Sequence, residues 1–147
     1  QHIVGTLLAH VWDGIDTGAS PDLVAIGGGA STNFVRMFNN VTTDRTTGRY
    51  TNASVAQIDI TPAITPNTNA ANKIAMAYAT NNGALAENGG AATPDATVSI
   101  VTSGFTQFAV GSGGPAGGTA ATGAKEIPLF AFYPARISNS ELTRITT

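Results

Sequence analysis

The chain of 147 residues is long enough to bury a hydrophobic core, and 42% of it is hydrophobic while only 11% is charged. The net charge is −2 and the seven Lys and Arg residues are scattered, which excludes the clustered basic surface that nucleic-acid binding needs. Without cysteine there is no disulfide or thiolate metal site, and without a long apolar run no membrane insertion is expected. We therefore expect one globular domain over residues 1–147.

Strand patterns dominate the first half of the chain. The apolar or alternating segments, bounded by Gly, Asp and Asn turns, are residues 3–12, 23–26, 33–39 and 49–60, the last as one long strand or a strand pair. Gly5 is a candidate bulge in the first of them. In NFVRMFN, alternation puts Phe34, Arg36 and Phe38 on one side of the strand. Residues 40–48 are predicted to form turns.

The second half continues with further short strands, over residues 73–79, 84–87, 98–101, 107–110 and 127–133. Alternation in KIAMAYA puts Ile74, Met76 and Tyr78 on one face, which we expect to be an inner face. The tripeptide Asn81-Asn82-Gly83 predicts a hairpin and Asn88-Gly89-Gly90 predicts the next turn, because Asn and Gly tolerate positive φ. Roughly nine or ten short strands at this spacing predict an antiparallel sandwich or barrel.

The C-terminal segment EIPLFAFYPARISNSELTRITT predicts a strand, a proline stop and one short helix. Ser138 is a candidate N-cap in a capping box, in which Glu141 would bond back to the Ser138 amide. Ile137 is placed to pack against Leu142 across the cap, and Leu142 and Ile145 share one helix face. Because the final strand is apolar on both faces, we expect the helix to cover its outer face.

Residues 73–89 and 107–146 resemble the concanavalin A-like (laminin G-like) jelly-roll domains of bacteriophage tail-fibre and other virion proteins. The likeness rests on KIAMAYA leading into NNGALAENG, on QFAVGSG, and above all on the ending FYPARISNSELTRIT. It implies an all-β, antiparallel two-sheet jelly-roll sandwich with a short C-terminal helix. Family members usually carry a further N-terminal strand region, whereas this sequence starts at Gln1. We therefore expect it to be part of a longer or multi-subunit virion protein.

The sequence gives little support for catalysis. Glycosidases need two carboxylates about 5–9.5 Å apart, which on one strand face means acidic residues two or four positions apart. No predicted strand carries such a pair, since Asp59, Glu87 and Glu126 each stand alone. A nucleophile-elbow motif is absent, and no P-loop lysine follows the glycine runs. We therefore predict that the protein is not an enzyme.

Metal binding has two weak candidates. Asp13, Asp16 and Asp22 lie in a glycine-containing loop, but calcium needs six to eight oxygen ligands and this spacing matches no calcium-loop motif. A turn in which the Asp side chains bond their own backbone is the favoured interpretation. His2 and His10 lack a third ligand. We predict no metal and no cofactor, with calcium as the alternative.

Carbohydrate binding has better support, because sugars stack on aromatic rings and hydrogen-bond to Asn and Asp side chains. The first candidate platform is Trp12, which ends the first strand beside Asp13. The second is Tyr50, which follows Arg49 in the chain, with Asn52. We predict that Trp12, Asp13, Tyr50 and Asn52 bind the ligand. The alternative for each aromatic residue is an ordinary place in the core or at its rim.

Together with the resemblance, these features predict a non-enzymatic virion surface domain, on a tail fibre, tail tip or capsid, that binds host or environmental glycans through many copies. The alternative is a decoration or cementing domain whose partners are other virion proteins. A glycan hydrolase is a third interpretation. By analogy with phage fibres and decorations, we expect a homo-oligomer, with a trimer as the model.

Overall fold

The computed structural model describes residues 4–12, 22–28, 32–40, 45–63, 70–100, 105–111 and 126–147. These residues form two antiparallel five-stranded sheets and one short helix, which confirms the predicted all-β sandwich. The elements are β1 (Gly5–Trp12), β2 (Asp22–Gly27), β3 (Phe34–Asn40), β4 (Arg45–Asn52), β5 (Val55–Ile60), β6 (Ala71–Tyr78), β7 (Gly83–Glu87), β8 (Thr93–Asp95), β9 (Gln107–Val110), β10 (Glu126–Tyr133) and α1 (Asn139–Ile145).

The two sheets have different strand orders. The first sheet runs β10-β1-β6-β7-β8 and the second runs β5-β4-β3-β2-β9. Hairpins join β3 to β4, β4 to β5 and β6 to β7, while β1 pairs with both β6 and β10 and so ties the two ends of the described chain together. The predicted turns at Asn81 and Asn88 are formed, with φ of 55° and 49°.

The main core lies between the sheets and confirms the expected inner face of β6. Ile74, Met76 and Tyr78 are fully buried there. Alternate residues of the facing strands, such as Val35 and Met37 on β3, pack against them. Because side chains alternate across a strand, the intervening residues of each strand lie on the outer faces, where the candidate sites are found.

The helix packs against the first sheet, but not where the sequence predicted. Leu142 is fully buried, and it packs with Ile137 and Ile145 in a second apolar cluster, as expected. That cluster contains Leu8 of β1 and the alanines of β6 and β7, and the helix contacts β6 and β7. Short alanine side chains leave room for a helix over the middle of the sheet. The outer face of β10 contributes only Ala131 to the cluster, and Leu129 stays exposed.

The capping box is half formed. Ser138 Oγ accepts a hydrogen bond from the Glu141 amide at 3.1 Å, as predicted. The Glu141 carboxylate does not turn back to the cap, because it bonds instead to Arg144 Nε at 2.8 Å, one turn along the helix. No helix in the described part of the chain is long and apolar enough to cross a membrane.

Three local predictions were wrong. Residues 45–48 belong to β4 instead of a turn, because the register with β3 extends the strand to Arg45. Residues 96–100 form no strand; Val98 is buried as a single core residue, and the strand in this region is Thr93–Asp95 at the sheet edge. The irregularity in β1 lies between His10 and Trp12, whereas Gly5 pairs regularly with Tyr78.

Candidate functional site

Of the four residues predicted to bind a ligand, the three that the structure describes are not brought together. Trp12 is 48% exposed at the end of β1, on the outer face of the first sheet. Tyr50 is 1% exposed, and its ring stacks on Tyr78 with centroids 6.2 Å apart. Its ring has no free face for a sugar, because β4 directs it into the core. Asn52, half-buried at the end of β4, lies in the second sheet, and Asp13 is outside the described residues.

The outer face of the second sheet carries a different group of side chains. Val35 and Met37 point into the core, so Phe34, Arg36 and Phe38 lie on the outer side of β3. Arg36 is paired directly with Arg49 of β4. On either side of this pair, Arg36 is paired with Ala25 of β2 and Arg49 with Asp59 of β5. We call these four cross-strand neighbours the arginine row: Ala25, Arg36, Arg49 and Asp59.

Both guanidinium groups are ion-paired and lie against an aromatic ring. Arg36 Nη1 donates to Asp22 Oδ1 at 2.9 Å, and Arg49 Nη2 donates to Asp59 Oδ2 at 2.7 Å. The Arg36 guanidinium carbon is 4.2 Å from the centroid of Phe38, and that of Arg49 is 5.3 Å from it. These cation–π contacts fix the two cations side by side.

The row retains unused hydrogen-bonding capacity. Within the described part of the chain, the buried Nε atoms of Arg36 and Arg49 and the buried Oδ2 of Asp22 have no hydrogen-bond partner. The two arginine side chains are 13% and 30% exposed, so solvent reaches each of them. Burial raises the pKa of the Asp22 carboxyl above its usual value, although the charge and hydrogen bond of Arg36 oppose this. Unpaired buried donors are uncommon in folded proteins, so each of them needs a structural or functional explanation.

Two adjacent guanidinium groups are suited to carboxylates. Each presents donors in a planar fork that matches the two oxygens of a carboxylate. The Phe38 ring beneath them is 4% exposed, so it supports the two guanidinium groups but offers no surface of its own. The sequence placed Arg36 between two aromatics on one face, but gave no sign of Arg49 as its neighbour. Only the β3–β4 register joins them.

Only two of the residues considered for metal binding, His10 and Asp22, lie in the described part of the chain. Among the described residues, no three His, Asp or Glu side chains form a group able to hold a metal ion. Asp13, Asp16 and His2 lie outside the described residues, and Asp22 bonds to Arg36. His10 is on the outer face of the first sheet, where burial and the nearby charge of Lys73 lower its pKa.

The architecture is that of the concanavalin A-like jelly-roll sandwiches. The chain is similar in structure to the CBM40 domain of the Ruminococcus gnavus IT-sialidase bound to α2,3-sialyllactose, with a TM-score of 0.72 and 16% identity over 98% of this chain and 83% of that one. The same domain bound to α2,6-sialyllactose gives a TM-score of 0.70 at 15% identity, covering 98% and 83%. A heptameric SAP-like pentraxin from Limulus polyphemus gives 0.66 at 8% identity, covering 99% and 70%.

These likenesses concern the fold. At such identities they show a shared architecture and assign no residue a role. The sequence matches no protein-family model and no curated protein.

Proposed function

We propose that this domain binds glycans without acting on them, and that the arginine row on the second sheet holds a carboxylate-bearing sugar. The observation that carries the proposal is the direct pairing of Arg36 with Arg49, each with a buried Nε that lacks a partner among the described residues. The similar CBM40 structures hold sialyllactose, a glycan with one carboxylate. A ligand carboxylate would accept from both guanidinium groups, while Asp59 would accept from sugar hydroxyls.

The competing interpretation is that the two ion pairs only stabilise the sheet. Arg36 and Arg49 are balanced by Asp22 and Asp59, so the group as a whole is neutral. The Arg49–Asp59 pair is partly exposed, and such pairs contribute little to stability, typically about 0–1 kcal/mol. The Arg36–Asp22 pair is largely buried, so the loss of hydration offsets much of its attraction. By comparison with this small gain, the burial of Asp22 and of three polar atoms without hydrogen bonds lowers the stability of the fold. A binding role gives this arrangement a reason that stability does not.

The carboxylates near the row support binding instead of hydrolysis. Asp22 is on β2 and Asp59 on β5, with two strands between them. Neighbouring strands are about 4.8 Å apart, so the axes of these two strands are separated by about 14 Å. Each carboxylate is bonded to an arginine of the strand beside it, so neither is placed as the free acid or nucleophile of a glycosidase. We expect no release of reducing sugar from polysaccharides, and measurable release would contradict the non-enzymatic assignment.

Calorimetric titration with 3′-sialyllactose tests the site, with lactose as the ligand that lacks the carboxylate. We expect wild-type protein to bind the first and not the second. The Arg49→Ala variant should weaken binding by about tenfold to 150-fold, because it removes hydrogen bonds to a charged group. Arg49→Lys should restore little, since an ammonium group cannot make the planar paired contact.

Arg144→Ala provides the matched control. It also removes an arginine paired to a carboxylate, but on the exposed surface of the helix, against the other sheet. We expect it to bind as wild type does. Equal affinity of the Arg49 and Arg144 variants, or equal binding of lactose and sialyllactose, would refute a carboxylate site at the row.

Trp12 stays a proposed second platform, because its exposed ring lies on the opposite side of the sandwich from the row. Trp12→Ala separates the two faces. If Trp12→Ala weakens glycan binding and Arg49→Ala does not, the glycan binds at the first sheet. If neither variant changes a positive glycan-array signal, both proposed locations are wrong.

We also propose that the domain works on a virion surface as part of a longer or multi-subunit protein, and assembles into a homo-oligomer, as a trimer. Its support is the resemblance of residues 73–89 and 107–146 to phage proteins. The alternative role, a decoration or cementing domain, is favoured by Leu129, Phe130 and Tyr133, which are exposed on β10 at the sheet edge. Light scattering tests assembly: a monomer at high concentration would contradict it. A cementing role predicts that particles lacking the domain lose resistance to heat.

A further inference from the structure

A cavity of about 280 Å³ opens between the two sheets, on the side where β9 and β10 form the sheet edges. It is separate from the arginine row, because the row is on the outer face of the second sheet and the cavity faces inward. Its lining is mostly apolar and includes Ile26, Tyr78, Phe105, Thr106, Phe108 and Phe132. Tyr78 is fully buried and forms the floor of the cavity, whereas Thr106 and Phe108 are exposed and lie at its mouth.

An aromatic pair spans the gap between the sheets beside this mouth. Phe108 of β9 and Phe130 of β10 have ring centroids 5.1 Å apart, yet they remain 42% and 48% exposed. The pairing register puts each ring on the inner side of its strand, since Phe108 is opposite Ile26 and Phe130 is opposite Ala9. The sandwich is therefore filled in its centre but open on this side.

A hydrogen-bond donor without a partner among the described residues lies beneath the floor of the cavity. Tyr78 Oη is buried and has no hydrogen-bond partner among the described residues. Burial, and to a lesser extent Tyr50, raises the Tyr78 pKa well above its usual value, so the hydroxyl keeps its proton. A Cβ atom on Gly5 would come within 2.6 Å of this oxygen and 2.7 Å of the Phe132 ring, so the hydroxyl packs directly against Gly5, where a side chain would displace it.

We propose that this cavity binds a small apolar molecule of one or two rings with a single hydrogen-bond acceptor, to which Tyr78 donates. The size follows from volume: a cavity of about 150 Å³ admits benzene, and ligand pockets begin at roughly 300 Å³. Besides Tyr78, the polar residues of the lining are Thr106 and Gln107, which are exposed at the mouth. An aromatic ketone or alcohol meets both requirements.

Fluorescence or calorimetric titration with 2-acetylnaphthalene tests this, with 2-ethylnaphthalene as a probe of the same shape without the acceptor. Wild-type protein should bind the ketone about threefold to tenfold more tightly, the range expected for one neutral hydrogen bond. Tyr78→Phe should bind the two probes equally, because the ring stays and only the donor is lost. If the wild type binds neither probe up to its solubility, or if the Tyr78→Phe variant keeps the preference, the proposal is wrong.

A second variant tests the location. Ile26→Phe adds volume to the cavity wall, and we expect the folded variant to bind both probes at least tenfold more weakly. Unchanged binding by that variant would place the probes elsewhere and overturn the proposal. 3′-Sialyllactose should not displace the ketone, since the two sites face different ways. Displacement would contradict the separate cavity site, whereas failure of sialyllactose to bind at all would leave this inference untouched.

Discussion

Replacing Leu142 with Ala tests how the terminal helix is held to the sandwich. Leu142 is fully buried against Leu8 and the alanines of β6 and β7, and Thr143 Oγ1 donates to the Gly90 carbonyl at 3.1 Å beside it. The sheet below the leucine has little means of filling the space, because alanine has no side-chain rotamers and the strands are fixed by their pairing. The cavity left by the truncation should therefore persist.

Leucine-to-alanine changes in cores cost about 2–5 kcal/mol, and more when the site cannot collapse. One side of this site is a helix that can shift, so we expect a loss of about 3 kcal/mol in the free energy of unfolding. For a domain of this size that corresponds to a fall of about 6–12 °C in the melting temperature. Urea denaturation followed by tryptophan fluorescence measures the loss.

Hydrogen exchange at residues 139–147 distinguishes a weakened core from a detached helix. If the loss is below about 1 kcal/mol and these amides remain protected, Leu142 does not anchor the helix and the packing argument fails. Arg144→Ala is the control within the same helix; its side chain is 71% exposed, and it should leave stability close to wild type.

Three further perturbations follow from single contacts. Ser138→Ala removes the hydroxyl that accepts a hydrogen bond from the Glu141 amide, and should lower the free energy of unfolding measured with urea by about 1 kcal/mol. An unchanged free energy would mean that the cap does not stabilise the helix. Gly48→Ala puts a Cβ atom within 2.9 Å of Met76 Sδ and should lower the free energy of unfolding by about 1–3 kcal/mol. If this contact is the cause, the same substitution should cost nothing in a Met76→Ala background. Burial raises the folded-state pKa of Asp22, so its contribution to stability is full below the unfolded value of 3.8 and is lost as pH rises through the folded value. Asp22→Asn should therefore gain stability relative to wild type as pH rises above 3.8, as measured by urea denaturation. The opposite trend would contradict the assigned shift.

The alternation of short apolar segments determined the fold class, because a strand buried on one face must repeat its apolar residues at every second position. KIAMAYA gave the correct inner face, and the Asn-rich turns that follow β6 and β7 were correctly located, since positive φ is a local requirement. The helix start was equally local, because Ser138 needs only its own backbone neighbours to act as a cap.

Contacts between distant segments were decided only by the tertiary structure. The residues around Tyr50 do not distinguish it from an exposed aromatic residue. Only the pairing of β4 with β3 places its ring on Tyr78 inside the core. The same register sets Arg49 beside Arg36, which no spacing along the chain reveals. The helix docked on the alanines of β6 and β7 instead of β10, because the position of a lid depends on which strands the chain brings together in the middle of the sheet.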